Sequence, residues 1–232
     1  LLVVPKEGEM ILICRAMERV TVENQVKNVQ FFGHADNEDP ADYVFSALSD
    51  LGLLNSRIGL EKSSLFLTAR LAESIQLKTK GVEWQDTSTL VSDLRLVKSP
   101  LEMEYVRKAA KAADVGMLAA IEAVHNGASD YEVSAECSRA MILAGSEYAG
   151  FGPFIRPGSR LGEEHTTWRG EIFGKGEAVF LEIAASYRKY QAPMGRLIYV
   201  DHAPEGAEFS AQLAIDGMNA IQVWGSNLNG KE

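Results

Sequence analysis

Two capping boxes constrain this chain more than any other feature of its sequence. Ser99 with Glu102, and Ser129 with Glu132, each set a hydroxyl and a carboxylate one helical turn apart. At that spacing each side chain satisfies the other residue's backbone N–H, which starts a helix. Pro100 occupies the first helical position of the earlier box, where a missing N–H costs nothing. The stretch Leu101–Val124 then carries an apolar stripe of Tyr105, Val106, Ala109, Ala113, Met117, Ala120, Ile121 and Val124, and Asn126-Gly127 ends it. The later box opens a second helix, which runs to Ala144 before Gly145. A domain boundary follows near residues 93–100, dividing the chain into 1–92 and 93–232.

Upstream of that boundary, short strands alternate with helices. Leu1–Val4 and Met10–Arg15 read as strands joined through Pro5–Glu9. Ala41–Leu51 is an apolar-periodic helix opened by Asp39-Pro40, Arg57–Leu60 a short strand, Ser64–Leu77 a second helix and Val82–Asp86 another strand. This alternation predicts an α/β layered domain. Downstream come an irregular Gly/Pro-rich stretch, Gly150–Gly162, the strands Ala178–Ala185 and Arg196–Asp201, and a last helix over about Glu208–Val223. A polar Gly225–Gly230 segment closes the pattern. The fold class is therefore α/β in the broad α+β sense.

Charge and cysteine usage narrow the partners. The chain has 23 Lys and Arg against 32 Asp and Glu, and no basic stripe offsets the excess, so nucleic acid is not an expected partner. Its two cysteines, Cys14 and Cys137, form no Cys-x-x-Cys pair and read as buried structural thiols. They fit a reducing compartment and a cytoplasmic location. Apolar runs such as Met10–Cys14 are strand-sized, far below the roughly 20 residues of a membrane helix. Leu1–Pro5 lacks the basic start and the apolar length of a signal peptide. The chain opens without Met on what already reads as a strand, so the expectation is a fragment.

The chemistry-bearing residues cluster late. Phe151-Gly152-Pro153-Phe154-Ile155-Arg156-Pro157-Gly158 is followed by Glu163-Glu164-His165, and Lys175-Gly176-Glu177 turns into the strand Ala178-Val179-Phe180-Leu181-Glu182-Ile183. Glu182 interrupts an apolar strand, where an unpaired buried carboxylate would cost several kcal/mol. It reads equally as a functional carboxylate or as a sheet-edge Glu that reaches solvent. His34, His125 and His202 stand in loop-like or helix-end contexts and read as structural or solvated.

In this order and spacing the sequence resembles the creatinase / Xaa-Pro aminopeptidase superfamily, whose catalytic domain has the pita-bread fold. The resemblance runs from about Leu94 to Gln222, and more weakly through the N-terminal domain. It rests on Lys98–Ala110, on Phe151-Gly152-Pro153-Phe154-Ile155, on His165 at the first active-site His position, and on Gly176-Glu177 at a Gly-Asp turn. Tyr190 and Arg196 match the family's Gly-Tyr-x-x-Asp-x-Thr-Arg hairpin. The resemblance also implies a further His and two Glu residues downstream of this sequence. Residues Val223–Glu232 do not continue the family pattern.

The departures carry as much information. Metallopeptidases of this family set two Asp residues eleven apart, the second bridging two metal ions; here Glu182 and Pro193 stand at those positions. Proline offers no side-chain donor, so the expectation is a metal-free site with no cofactor. Among metal-free members, Gly162-Glu163-Glu164-His165-Thr166-Thr167-Trp168 with Glu182 looks most like the ectoine hydrolases, which open a cyclic amidine to an N-acetyl-diaminobutyrate. On that resemblance Glu182 is nucleophile or base and His165 protonates the leaving nitrogen. Arg196 offers a fork for the substrate carboxylate, or else ties down the hairpin. Trp168 and Tyr190 wall the ring by cation–π contact, or simply pack, with Tyr148 a weaker candidate. Arg15 reaches a neighbour's active site if the chain dimerises as creatinases do. The implied partners are a small zwitterionic substrate, a second subunit of a homodimer and a downstream deacetylase, with no membrane. The competing classes are a creatinase-type amidinohydrolase, a metal-dependent Xaa-Pro aminopeptidase or dipeptidase, and an inactive pita-bread module that binds peptides.

Overall fold

The computed structural model describes residues 1–228 and forms two compact units, Leu1–Val97 and Lys98–Glu232. In the first, strands β1 (Leu2–Val3), β2 (Met10–Arg15) and β3 (Val29–His34) make one sheet in that order. The pair β1/β2 is antiparallel and β2/β3 parallel. Between β2 and β3 runs the short helix α1 (Arg19–Gln25). Helix α2 (Pro40–Asp50) starts where Asp39 accepts the Ala41 N–H at 3.0 Å. Strand β4 (Arg57–Leu60) pairs in parallel with β5 (Glu83–Asp86) on either side of α3 (Ala69–Lys78). Ile11 and Ile13 of β2 bury against Ala41, Val44, Ala47 and Leu48 of α2, together with Ile75 and Val82.

Three features depart from expectation here. Helix α3 begins at Ala69 rather than Ser64, because the Thr68 hydroxyl caps it by accepting the Leu71 N–H at 3.2 Å. Helix α1 and strand β3 form in a stretch with no expected element. Finally, α4 (Leu90–Leu96), where no helix is expected, continues the first unit to Val97, a few residues past 92 and within the 93–100 stretch expected to hold the boundary.

The second unit is built on the two capped helices, α5 (Pro100–Ala123) and α6 (Asp130–Leu143). Both capping boxes are closed: Ser99 N–H donates to Glu102 at 2.7 Å and Ser129 N–H to Glu132 at 2.8 Å. Each glutamate's own N–H returns a bond to the serine hydroxyl, at 3.3 and 3.2 Å. Strands β6 (Phe154–Pro157), β7 (Ala178–Tyr187) and β8 (Tyr190–Tyr199) form an antiparallel sheet in that order. Helix α7 (Ala207–Leu228) follows, extending past the expected end at Val223. Asn229 and Gly230, expected in the polar terminal segment, lie outside the described residues.

Val179, Leu181, Ile183 and Ala185 on one face of β7 pack into a core with Ala112, Ala113, Met117 and Ala120 of α5, all nearly inaccessible to solvent. Small residues let the helix lie close to the sheet. Gly116 does the same toward α6, since a Cβ there would overlap the Met141 side chain. Cys137 is buried in this core and Cys14 is half-buried, both as free thiols. Strand β8 starts at Tyr190 rather than Arg196, and β6 forms inside the stretch read as irregular. The turn joining β7 to β8 has Arg188 and Lys189 at φ +50° and +67°, the left-handed geometry of a two-residue hairpin. Neither residue is a usual turn former. Glu147 holds the turn by accepting the Arg188 N–H at 3.2 Å and pairing with the Lys189 ammonium at 2.9 Å. Among the described residues no helix is long and apolar enough to cross a membrane.

Candidate functional site

Period-two alternation divides β7 into two faces. The odd positions enter the core, which leaves Phe180, Glu182, Ala184 and Ser186 on the other face. Glu182 lies opposite Phe154 of β6 on one side and Gly195 of β8 on the other. Arg156 pairs with Phe180, and Pro193 with Ala184. The register therefore gathers Phe154, Arg156, Phe180, Glu182 and Pro193 on one surface. Gly195 has no side chain, and the Phe180 ring takes that flank, where a Cβ would come within 3.2 Å of it. The Glu182 side chain is 28% exposed, neither sealed in the core nor free in solvent.

Arg156 is the neighbour that sequence reasoning missed. Its side chain is only 8% exposed, and its NH2 lies 3.8 Å from Glu182 Oε2. The guanidinium stacks 4.6 Å over the Phe180 ring and donates through NH1 to the Glu163 carbonyl at 2.9 Å. Its Nε has no hydrogen-bond partner among the described residues. The available signal was a cation alternating with apolar residues in Phe154-Ile155-Arg156.

His165 sits on the loop between β6 and β7, with φ +50°. Its ring lies 5.3 Å from that of Phe154, and Phe151 stacks on Phe154 at 5.1 Å. Glu182 and His165 are thus brought to the same phenylalanine, one through strand pairing and the other through ring contact. Buried charges order the loop. Arg160, 4% exposed, donates to Glu163 at 3.1 Å, Glu171 at 3.3 Å, the Thr166 hydroxyl at 2.5 Å and the Thr167 carbonyl at 3.2 Å. Asp130, inaccessible in the first turn of α6, accepts the N–H groups of Arg169 at 2.9 Å and Gly170 at 2.8 Å.

The other expected contacts fall elsewhere. Arg196 pairs with Leu181, so it belongs to the α5-facing side of the sheet, away from Glu182, and its NH1 bonds the Gly195 carbonyl at 2.7 Å. The hairpin-tying alternative fits this placement and the substrate fork does not. Tyr190 is on that same side; its hydroxyl donates to Glu102 at 2.8 Å and its ring meets Tyr105 at 5.8 Å. It fastens the hairpin to the start of α5 and is no wall for a ligand beside Glu182. Trp168 donates its indole N–H to the Pro153 carbonyl at 2.6 Å and packs on the core. That is the packing reading. Tyr148 is almost wholly exposed. Arg15, at the end of β2 in the first unit, pairs with Asp36 at 3.0 Å. His34 and His125 each contact a neighbouring backbone carbonyl, at 2.9 and 3.1 Å.

A two-metal centre needs a bridging carboxylate beside Glu182. The register puts Pro193 on the right face for that position, diagonal to Glu182, but its ring has no donor atom. Among the described residues no group of three or more His, Cys, Asp or Glu side chains stands close enough together to hold a metal. The described residues do not fit such a centre, because Pro193 leaves the bridging position without a donor.

Comparison with known proteins places this arrangement. Residues 104–226 match the model of metallopeptidase family M24, and residues 1–97 match the creatinase/prolidase N-terminal domain. An ectoine hydrolase from Halomonas elongata is 28% identical over 196 residues, 79% of this chain and 49% of that protein. A Xaa-Pro dipeptidase from Pyrococcus furiosus is 25% identical over 167 residues, 72% of this chain and 48% of that protein. The crystal structure of the prolidase from Pyrococcus horikoshii superposes with a TM-score of 0.76 at 21% identity, covering 91% of this chain and 58% of that one, which supports the shared fold. The chain spans about half the length of the curated relatives it matches. With a family match over more than half its length and the pita-bread architecture around Glu182, the chain belongs to metallopeptidase family M24.

Proposed function

We propose that the full-length protein is a hydrolase that opens the cyclic amidine of ectoine, giving an N-acetyl-diaminobutyrate. The observation that carries this reading is a partly exposed carboxylate on the sheet face away from α5, with Pro193 where a metal-bridging carboxylate would stand. A carboxylate beside aromatic rings suits a delocalised amidinium, and likeness to the Halomonas ectoine hydrolase points the same way. Phe154 and Phe151 take over the ring-wall role expected of Trp168 and Tyr190.

Glu182 attacks the amidine carbon or draws a proton from the water that does. One C–N bond of the tetrahedral adduct then breaks and His165 delivers a proton to the departing ring nitrogen. The carbon becomes the acetamide carbonyl at once where water attacked. Where Glu182 attacked, it does so after water displaces the Glu182 oxygen from the acyl-imidate and regenerates the carboxylate. The water oxygen ends in the acetyl group. The protein acts as a cytoplasmic homodimer on a small zwitterionic substrate, with Arg15 able to reach a partner subunit and a deacetylase taking the product onward.

The test is full-length protein assayed side by side on ectoine, creatine and a Xaa-Pro dipeptide, with and without exhaustive chelation. Ectoine turnover that survives chelation is expected. It should be abolished in Glu182→Gln and lowered on the order of 100-fold in His165→Ala. Wild-type rates in Glu182→Gln would overturn the assignment. Peptide cleavage lost on chelation and restored by manganese would instead favour the dipeptidase reading that the Pyrococcus relative supports.

A further inference from the structure

We infer that Arg156 is a positioning residue that gives Glu182 a built-in counter-charge, standing electrostatically where the metallopeptidases of this fold hold metal ions. The inference rests on the proposed role of Glu182. Arg156 is buried, yet the group it faces is not a full bonding partner. The separation of 3.8 Å from Glu182 exceeds hydrogen-bond length, while the Glu163 carbonyl and the Phe180 ring fix the guanidinium on its other sides. A charge anchored this way exerts a steady field on the carboxylate without occupying its lone pairs. Those lone pairs remain available for a substrate carbon or a water proton.

The same geometry works against metal uptake. A divalent cation on Glu182 would sit within a few ångströms of a guanidinium that the Glu163 carbonyl and the Phe180 ring hold in place. Like charges at that range in a half-buried site repel strongly. Pro193 removes a donor and Arg156 adds a repulsion, and the two act in the same direction.

The experiment compares wild-type, Arg156→Met, Arg156→Lys and Glu182→Gln in the full-length protein, each checked for native circular dichroism and melting temperature. A positioning role predicts that Arg156→Met lowers kcat for ectoine by about 10- to 100-fold, the range for outer groups that orient a reacting one, while KM changes less than about threefold. Arg156→Lys keeps the charge and should recover most of that loss. Titration with Mn2+ alone should show at least about tenfold tighter uptake in Arg156→Met than in wild type. A raised KM at unchanged kcat would make Arg156 a substrate contact and overturn the inference. So would unchanged kinetics, or a folded Arg156→Lys as inactive as Arg156→Met. Should Arg156→Met fail to fold, Arg156→Lys decides alone: kcat within about tenfold of wild type supports the inference and a deeper loss overturns it. Activity retained in Glu182→Gln would bring down the functional reading itself. An inactive Glu182→Gln beside an unaffected Arg156→Met removes only the present inference.

Discussion

Helices α5 and α6 and the segment Phe151–Gly170 find partners for their backbone polar groups by different means. The helices find them locally: bonds within each helix serve nearly everything, and a serine and a glutamate three residues apart close each start. The segment has almost no repeating structure beyond β6. Two of its N–H groups are served from outside by Asp130 in α6, and the carbonyls of Glu163 and Thr167 by the side chains of its own Arg156 and Arg160. A site built from such a segment takes its geometry from a few buried charges, each with several dependants. Losing one of them should therefore cost more than losing a cap.

The largest effect that would test this contrast comes from Asp130→Ala. Two N–H groups lose a charged acceptor that is fully buried, so unfolding stability should drop by about 3 kcal/mol in urea titration. Amide exchange should accelerate around residues 165–171 before it does in α5. A loss below about 1 kcal/mol would place the segment under local control after all. A smaller effect is expected from Ser99→Ala, about 1 kcal/mol for a helix cap, with exchange in the 165–171 loop unchanged. If that loop loosens too, the two regions are coupled and the contrast fails.

The smallest effect is a pH dependence. The Ser99 N–H, then the Ser99 hydroxyl and the Tyr190 hydroxyl, hold Glu102 well below its ordinary 4.5, at about 2. Folding lowers this pKa, so the stabilisation is complete above pH 4.5 and fades as pH falls toward 2. Glu102→Gln should flatten part of the decline in melting temperature across that window. An unchanged acid limb would show that the box and the Tyr190 tether contribute nothing through charge.

What the sequence makes legible follows the same division. The capping boxes, the apolar stripe of α5 and the alternation of β7 are readable because partner and signal lie within a few residues of each other. Strand β3 is not readable in this way. Its order comes from parallel pairing with β2, and the helix between them, α1, opens without a side-chain cap and holds Val20, Thr21 and Val22. The first residues of β8 are hidden for a related reason: Arg188 and Lys189 form a hairpin turn only because Glu147, far back in the chain, braces them. At the site, Glu182 and His165 are visible as residue types out of place. The faces of Arg196 and Tyr190 are not, since one register decides which side of a sheet a residue joins.

Pro193 has an effect on the sheet that is separate from chemistry at Glu182. The two-residue turn makes Tyr187 and Tyr190 a hydrogen-bonded pair, and counting back two residues at a time leaves Ala184 and Pro193 as a non-bonded pair. A residue at that point directs its amide away from β7, toward the outer margin of β8, and proline has no hydrogen there to offer. Among the described residues β8 is the last strand on that side. Any strand joining it therefore meets a ladder with one rung absent. The gap marks a fixed point for the register of a correct partner and discourages the indiscriminate edge-to-edge growth that turns open sheets into aggregates.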